Sequence, residues 1–292
     1  MIPAAFDYYA PVSVDEALEL LKALPDAKVL AGGHSLLPMM KLRVISPAHV
    51  IDLGRIAALR GIAEDGAKLT IGALTTHWMI ESSPLVRARA PILAEAAGRI
   101  GDVQVRNVGT IGGNLVHADP AADYPAAVLA GEAEMVVVGA TGRRTIPARE
   151  FFTGVLASAV RADEILIEIR LPRLPPGTGQ AYLKFPHPAS GFAVVGVAAV
   201  IRMRGTRCVD ARIGITGVAP VPYRAGAVER ALVGAALDDR LIAAAAEHAA
   251  DGVEPNEDLF ADADYRAHLA RVFTKRAVRA ALGRVEGHHD DP

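Results

Sequence analysis

Ala31-Gly32-Gly33-His34-Ser35-Leu36 is the stretch on which the reading of this chain turns, and Arg106-Asn107-Val108-Gly109-Thr110-Ile111-Gly112-Gly113-Asn114 repeats its chemistry further along. Glycine lets the backbone take positive φ and lets a ligand approach without meeting a Cβ. Successive N–H groups in such a turn form a concavity that binds anions. Ser35 in the first turn, and Thr110 and Asn114 in the second, add side-chain donors. Neither turn is a mononucleotide loop, because the chain contains no G-x-x-x-x-G-K-[ST] and no G-x-G-x-x-G. A Gly-Gly pair by itself is usually no more than a turn. Two of them, each after an apolar run and flanked by small polar donors, point to the two phosphates of a dinucleotide. The residues alone carry the reading as far as a diphosphate-binding protein.

The rest of the composition narrows the field. A length of 292 residues favours two or three compact units, and a chain of that size needs no disulfide or metal staple. The apolar share of 51% and charged share of 22% are those of a globular protein. A formal net charge of -2 gives no electrostatic footprint for nucleic acid. The single cysteine, Cys208, can form no internal disulfide and cannot supply the four ligands of an iron–sulfur cluster, so any such cluster must sit in another chain. No Lys or Arg precedes Lys22, so the basic start of a signal peptide is missing. The longest strongly apolar stretch, 192–201, is about half of a membrane span. The expectation is a cytoplasmic protein without direct membrane insertion, with any membrane association made through partners.

Outward from the first turn, Ser13 and Glu16 make a capping-box pattern ahead of Val14, Ala17, Leu18, Leu21 and Leu24 at helical spacing, and Pro25 ends that helix. With strands expected at 28–31 and 49–53, this βαβ-like start forms a first unit over residues 1–55. A second unit over 56–175 has strands at 68–73, 134–139 and 164–171 and a helix at 84–99. Between them, 102–125 shows no clean period, and a structureless loop of that length inside a compact domain is usually functional or wrongly assigned. Leu174-Pro175-Pro176-Gly177 reads as a linker. Strands at 180–185, 193–204 and 208–217 then precede helices at 225–237, 240–250 and 265–282, an α+β unit over 178–285 with a flexible tail at 286–292.

The first motif, continuing through Leu37-Pro38-Met39-Met40-Lys41-Leu42-Arg43, resembles the first FAD motif of a known family: the FAD-binding medium subunits of the aerobic (molybdenum) carbon monoxide dehydrogenase / xanthine dehydrogenase family. The second, continuing through Asp119-Pro120 and Asp123, resembles that family's second FAD motif, and the resemblance covers essentially the whole chain. It implies an α+β protein with a two-subdomain FAD-binding region of the vanillyl-alcohol-oxidase (PCMH) type, followed by a smaller α+β C-terminal domain. It also implies that Leu30, Ala31, Gly32, Gly33, His34, Ser35 and Leu36 wrap the FAD pyrophosphate, and that Thr110, Gly113 and Asn114 close over it from the other subdomain. By the same resemblance Gly101, His117 and Asp123 are further cofactor contacts. Leu166 offers its backbone to the cofactor, and Lys184, in Tyr182-Leu183-Lys184-Phe185, lies near the flavin ring. The FAD would be non-covalent, although His34 stands where some members of the wider fold attach flavin covalently. One departure is His187-Pro188-Ala189-Ser190, where many relatives place a basic residue.

The role so implied is the FAD-carrying electron-transfer subunit of a heteromeric molybdenum hydroxylase. A large partner holds the molybdenum cofactor and oxidises the substrate, a small partner holds [2Fe-2S] clusters, and electrons reach an external acceptor through FAD in this chain. The assembly would be a dimer of heterotrimers, with carbon monoxide as leading substrate and with no catalytic residue or metal ligand in this chain. Two alternatives stand beside it, a stand-alone FAD-dependent oxidase or dehydrogenase and a nucleotide-binding scaffold without redox chemistry. Single residues keep two readings each. Asp123 could meet the cofactor or cap the helix that follows it. Lys184 could be a solvated strand lysine or a cation that stabilises reduced flavin. His77-Trp78 reads as core packing at a helix start, Cys208 as a buried inert thiol, and His288-His289 as a stray metal site or simply tail.

Overall fold

The expected first helix forms as α1 (Val14–Ala23), and its start has a cause in Ser13. The Ser13 hydroxyl accepts the Glu16 N–H at 3.1 Å, while the Glu16 carboxylate reaches back to the N–H of Val12 at 2.8 Å. α1 joins β1 (Asp7–Tyr9) to β2 (Lys28–Leu30), and α2 (Leu36–Lys41) leads on to β3 (His49–Asp52). β3 lies between the other two strands and pairs with both in parallel. The computed structural model describes residues 1–66 and 68–286, so the expected tail lies outside the described residues from 287 onward.

A second sheet follows. β4 (Ile62–Asp65) and β5 (Lys68–Gly72) precede six short helices, α3 (His77–Ser82), α4 (Pro84–Arg89), α5 (Pro91–Gly98), α6 (Val103–Val108), α7 (Ile111–His117) and α8 (Tyr124–Ala130). β6 (Glu134–Gly139), β7 (Gly142–Pro147) and β10 (Ile165–Pro172) complete it, while α9 (Ala148–Phe151) leads into β8 (Phe152–Gly154) and β9 (Ala157–Ser158), which pair as a separate two-stranded sheet. The sheet order is β4-β5-β10-β6-β7, antiparallel throughout.

Three expectations need correction here. The helix at 84–99 is two helices, because Ala90 precedes Pro91 and leaves the helical region at φ -143°, ψ 62°. The segment at 102–125 is not one long loop: it holds two short helices and the start of a third, with a connection over 118–123. α6 and α7 have six and seven residues, too few for a helical period to show in the sequence. Trp78 does not pack in the core, being 51% exposed. Thr76 caps α3, which turns His77 and Ile80 inward, and Trp78, one residue round the helix, faces out.

The second sheet separates two cores. Leu166, Ile169 and Leu171 of β10, with Met135 and Val137 of β6, face the helices. Ile165, Ile167 and Val136 face the first lobe and pack with Ile51, Leu53 and Leu59. The parity along β10 reverses at a bulge between Leu166 and Glu168.

The third sheet is antiparallel, in order β11 (Thr178–Pro186), β12 (Ala193–Arg204), β13 (Arg207–Thr216), β14 (Tyr223–Arg224). α10 (Gly226–Leu232), α11 (Asp239–Ala246) and α12 (Ala263–Glu286) follow. α10 is shorter than expected, whereas α12 takes in Glu286, the first residue of the expected tail. Both faces are covered. Val197, Ala199 and Ile201 pack towards the C-terminal helices, and Ala198 and Val200 join the core of the second lobe. Burial on two faces is why β12 reads as an unbroken apolar run rather than an alternating one. No helix among the described residues is long and apolar enough to cross a membrane.

Glycines set the closeness of this packing. A Cβ at Gly179 would meet the carbonyl of Ala281 in α12, and one at Gly214 would meet the carbonyl of Ala126 in α8. Gly214→Ala is therefore expected to destabilise by about 1–3 kcal/mol through overpacking. Gly283→Ala, at a position in α12 with nothing within 4 Å of the new atom, should be neutral or stabilise by roughly 0.5–1 kcal/mol. Thermal denaturation of the two variants should show Tm shifts of opposite sign, or a fall for Gly214→Ala alone.

Candidate functional site

A cleft of about 600 Å³ opens where the three units meet, and both glycine turns line it. The turns touch each other directly. A Cβ at Gly32 would lie 2.5 Å from the carbonyl oxygen of Val108 and 2.7 Å from the Cα of Gly109. Glycine at position 32 is what allows the first lobe to bring its turn onto the second.

The two turns are chemically unequal. In the first, Gly33 takes φ +73° and the chain enters α2, with the N–H of Leu37 bonded to the carbonyl of Gly33. Among the described residues, the N–H groups of Gly32, Gly33, His34 and Ser35 make no backbone hydrogen bond, and the Ser35 hydroxyl makes no cap. Four consecutive unspent donors form the anion-binding concavity expected of such a turn. In the second, the donors are spent. Ile111 and Gly112 donate to the carbonyls of Thr75 and Ala73, Asn114 donates to the carbonyl of Thr110, and Gly113 donates to the Thr110 hydroxyl at 3.2 Å. The expectation that both turns offer the same backbone chemistry is corrected, because the second is the capped start of α7. Its glycines serve contact instead, since a Cβ at Gly112 would lie 2.6 Å from the carbonyl of Ala73. What it brings to the cleft is the Thr110 hydroxyl, the open side of Gly113 and the Asn114 amide, whose oxygen is buried without a partner.

Gly101, His117, Asp123 and Leu166 line the same cleft, as do residues 31–36, Thr110, Gly113 and Asn114. Gly101 takes φ +48°, and Leu166 sits at the β10 bulge. Two residues lie off it. Leu30 ends β2 and packs beside Gly33. Lys184 is buried behind Asp123, where its Nζ donates to Asp123 Oδ2 at 2.8 Å and to the carbonyl of Arg99 at 2.8 Å. It is not a solvated lysine. The other Asp123 oxygen accepts the Tyr182 hydroxyl at 2.5 Å. Asp123 makes no side-chain cap to α8, so that reading is set aside. Burial pushes its carboxyl up to about 6, outweighing the opposing pull of Lys184 and Tyr182.

Sequence reasoning missed His77 and the Arg144–Glu164 pair. His77 lines the cleft from beneath the second turn, its Nδ1 3.2 Å from the Tyr124 hydroxyl and its Nε2 against Gly109. Its signal, a Thr-His pair at a helix start, is too common to single out. Glu164 lines the cleft and is gripped by Arg144 at 2.6 and 2.7 Å, which holds its carboxyl below the usual range. The charged partners lie twenty residues apart, Arg144 on β7 and Glu164 just before β10, so no local pattern marks them.

A cleft with a row of free amides on one side and hydroxyl and amide side chains on the other suits a dinucleotide. Comparison with known proteins supplies the family. Residues 4–174 match the family described as the FAD binding domain in molybdopterin dehydrogenase, and residues 180–281 match the CO dehydrogenase flavoprotein C-terminal domain. The chain belongs to this FAD-binding family. A carbon monoxide dehydrogenase medium chain from Hydrogenophaga pseudoflava is 48% identical over 97% of this chain and 99% of its own length. A 6-hydroxypseudooxynicotine dehydrogenase complex subunit alpha from Paenarthrobacter nicotinovorans is 36% identical over 97% of each chain. The solved structure of a carbon monoxide dehydrogenase from Hydrogenophaga pseudoflava, lacking the Mo-pyranopterin moiety of its cofactor, superposes with a TM-score of 0.94. It is 49% identical and covers 97% of this chain and 99% of that one. Family membership makes the first two units a FAD-binding domain and the third its C-terminal flavoprotein domain.

In this setting His77 is a neutral wedge under the cofactor domain's second turn. Burial, then the charges of His34 and Arg106, lower its ring from 6.5 to about 3. Between those values the unfolded chain binds a proton that the folded chain refuses, so the contribution is intact above 6.5 and is lost as pH falls towards 3. From pH 7 to pH 5 the loss is roughly 2 kcal/mol. His77→Gln should show a flatter profile of urea midpoint against pH. Parallel profiles for the two proteins would show that His77 is not held neutral.

Proposed function

We propose that this chain is the FAD-carrying electron-transfer subunit of a heteromeric molybdenum hydroxylase, with a large molybdenum-cofactor partner and a small [2Fe-2S] partner. The row of four unspent N–H groups at residues 32–35, facing the Asn114 amide across the cleft, carries this reading. The first turn would hold the pyrophosphate through those amides and the Ser35 hydroxyl. The Thr110 hydroxyl and Asn114 amide would close over it, and the unpartnered Asn114 oxygen would accept a cofactor hydroxyl or N–H. Bound there, FAD supplies a redox centre that takes up and delivers electrons one or two at a time. Gly101, His117, Asp123 and the Leu166 backbone would shape the remainder, with Lys184 acting from behind Asp123. A chain whose single cysteine is buried has no thiolate set for an iron–sulfur cluster, which supports a division of cofactors among chains.

Carbon monoxide is the leading substrate of the complex, on the strength of the 48% identical medium chain. A cytoplasmic dimer of heterotrimers, with an external electron acceptor, completes the proposal.

The native complex purified by affinity to this chain should contain three kinds of polypeptide, molybdenum, iron and FAD, with a visible spectrum of flavin plus iron–sulfur absorption. A yellow monomer that oxidises an organic substrate alone would overturn the assignment. Acid precipitation should leave all flavin in the supernatant, since the FAD is non-covalent; flavin in the pellet would mark His34 as an attachment point. Among the glycines, Gly113→Val is the sharpest probe, because a Cβ at this position meets only Thr110 Oγ1 at 3.0 Å and Ala31 Cβ at 3.6 Å. Gly33→Val also strains a positive φ and strikes Leu37 at 2.8 Å. Gly113→Val should assemble with FAD occupancy reduced at least about tenfold, a loss of 1.4 kcal/mol or more in binding. Full occupancy would move the cofactor elsewhere.

A further inference from the structure

Residues 119–123 cross from α7 to α8 and supply Asp119, Ala122 and Asp123 to the cleft wall. This segment belongs to the FAD-binding domain, but the C-terminal sheet holds it. The Thr216 hydroxyl, fully buried at the end of β13, lies 2.8 Å from the carbonyl oxygens of both Pro120 and Ala122. The N–H of Gly217 donates to Pro120 at 2.8 Å, and that of Ala193 donates to Ala121 at 3.0 Å. From β11, Tyr182 and Lys184 occupy one oxygen each of the Asp123 carboxylate. The Tyr182 hydroxyl is itself wedged against Gly196 of the neighbouring strand, where any Cβ would strike it. Neither Tyr182 nor Thr216 lines the cleft.

We propose that Tyr182 and Thr216 are positioning residues for the cofactor cleft. From the C-terminal domain they lock the 119–123 segment and the Asp123 carboxylate into the wall without touching the cofactor. The inference rests on reading the cleft as the FAD site. Tyr182 has the more specific part, because it donates to a carboxylate that borders the cleft and so favours the charged form of Asp123. The charged and titratable groups around Asp123 are Lys184 and Tyr182 on β11, Arg99 at the end of α5, and the adjacent Tyr124, whose hydroxyl meets His77 of α3. Removing the Tyr182 hydroxyl takes away a group that lowers the Asp123 carboxyl, so Asp123 should hold its proton to a pH above the present value of about 6. Thr216 fixes only carbonyls, so its loss should loosen the segment without moving that titration.

The test is FAD affinity, measured by flavin fluorescence on the deflavinated, reassembled complex from pH 5 to 8. Tyr182→Phe should weaken FAD roughly tenfold and move the midpoint of the pH profile upward. Thr216→Val should weaken it comparably with the midpoint unmoved, and Thr216→Ser should restore it. A packing role alone would lower Tm in Tyr182→Phe but leave the midpoint in place, and that result would overturn the Tyr182 assignment. Should Tyr182→Phe fail to assemble, the Val and Ser variants at 216 decide, and equal affinity in both would overturn the positioning role. Asp123→Asn and Gly113→Val separate the two levels. Weakened FAD in those variants, with wild-type behaviour in the Tyr182 and Thr216 variants, would defeat this inference and leave the FAD reading standing. Unchanged FAD in all of them would defeat both.

Discussion

The cleft depends on two backbones lying closer than side chains normally allow. Gly32 in the first lobe rests on the Val108 carbonyl and Gly109 of the second, at a separation that leaves no room for a methyl group. Around that contact the first turn keeps four amides free, and the second spends its own on Ala73, Thr75 and Thr110. The second turn is thereby made rigid. It acts as the anvil against which a chain of free donors is held open, and a preorganised site of this kind avoids the ordering cost that a flexible one pays on binding.

Rigidity continues downward through His77. Its backbone N–H donates to the carbonyl of Gly109, and its ring fills the space under that glycine beside Tyr124. On the far side, Asp123 is enclosed by Tyr182 and Lys184. A buried Lys–Asp pair is a poor source of stability, because stripping both charges of water costs about as much as their attraction returns. Its value lies in direction: Tyr182 and Lys184 each engage one carboxylate oxygen of Asp123, at the end of the 119–123 segment. The C-terminal domain is thus joined to the cofactor domain through the polar wall of the cleft as well as through the apolar packing of α5 and α8 on its sheet.

Much of the fold was legible from local pattern. The capping box at Ser13, the strand at 134–139 and the apolar run of β12 all appear where periodicity and turn residues put them, because each is long enough to repeat its period. The helices between residues 103 and 117 were not, since six or seven residues hold fewer than two helical turns. Of the pair His77-Trp78, both read as core packing, His77 is buried and Trp78 is not. Adjacent helical residues point about 100° apart, and the sequence does not say which of the two faces inward.

For the site, the sequence by itself determined that two glycine turns with small polar neighbours exist, and the motif around them pointed to FAD. Composition and spacing are enough for that, because glycine's freedom is a property of the residue. Only the tertiary structure decided that one turn offers its amides while the other consumes them, since the acceptors at Ala73 and Thr75 arrive from a preceding strand and its loop. It also placed Lys184 and Tyr182 on the two oxygens of Asp123, Thr216 against the carbonyls of Pro120 and Ala122, and Glu164 in the cleft lining. Those residues are far apart along the chain and meet through sheet register and lobe packing. Hydrogen bonds reach about 3 Å in space, whatever the separation in sequence.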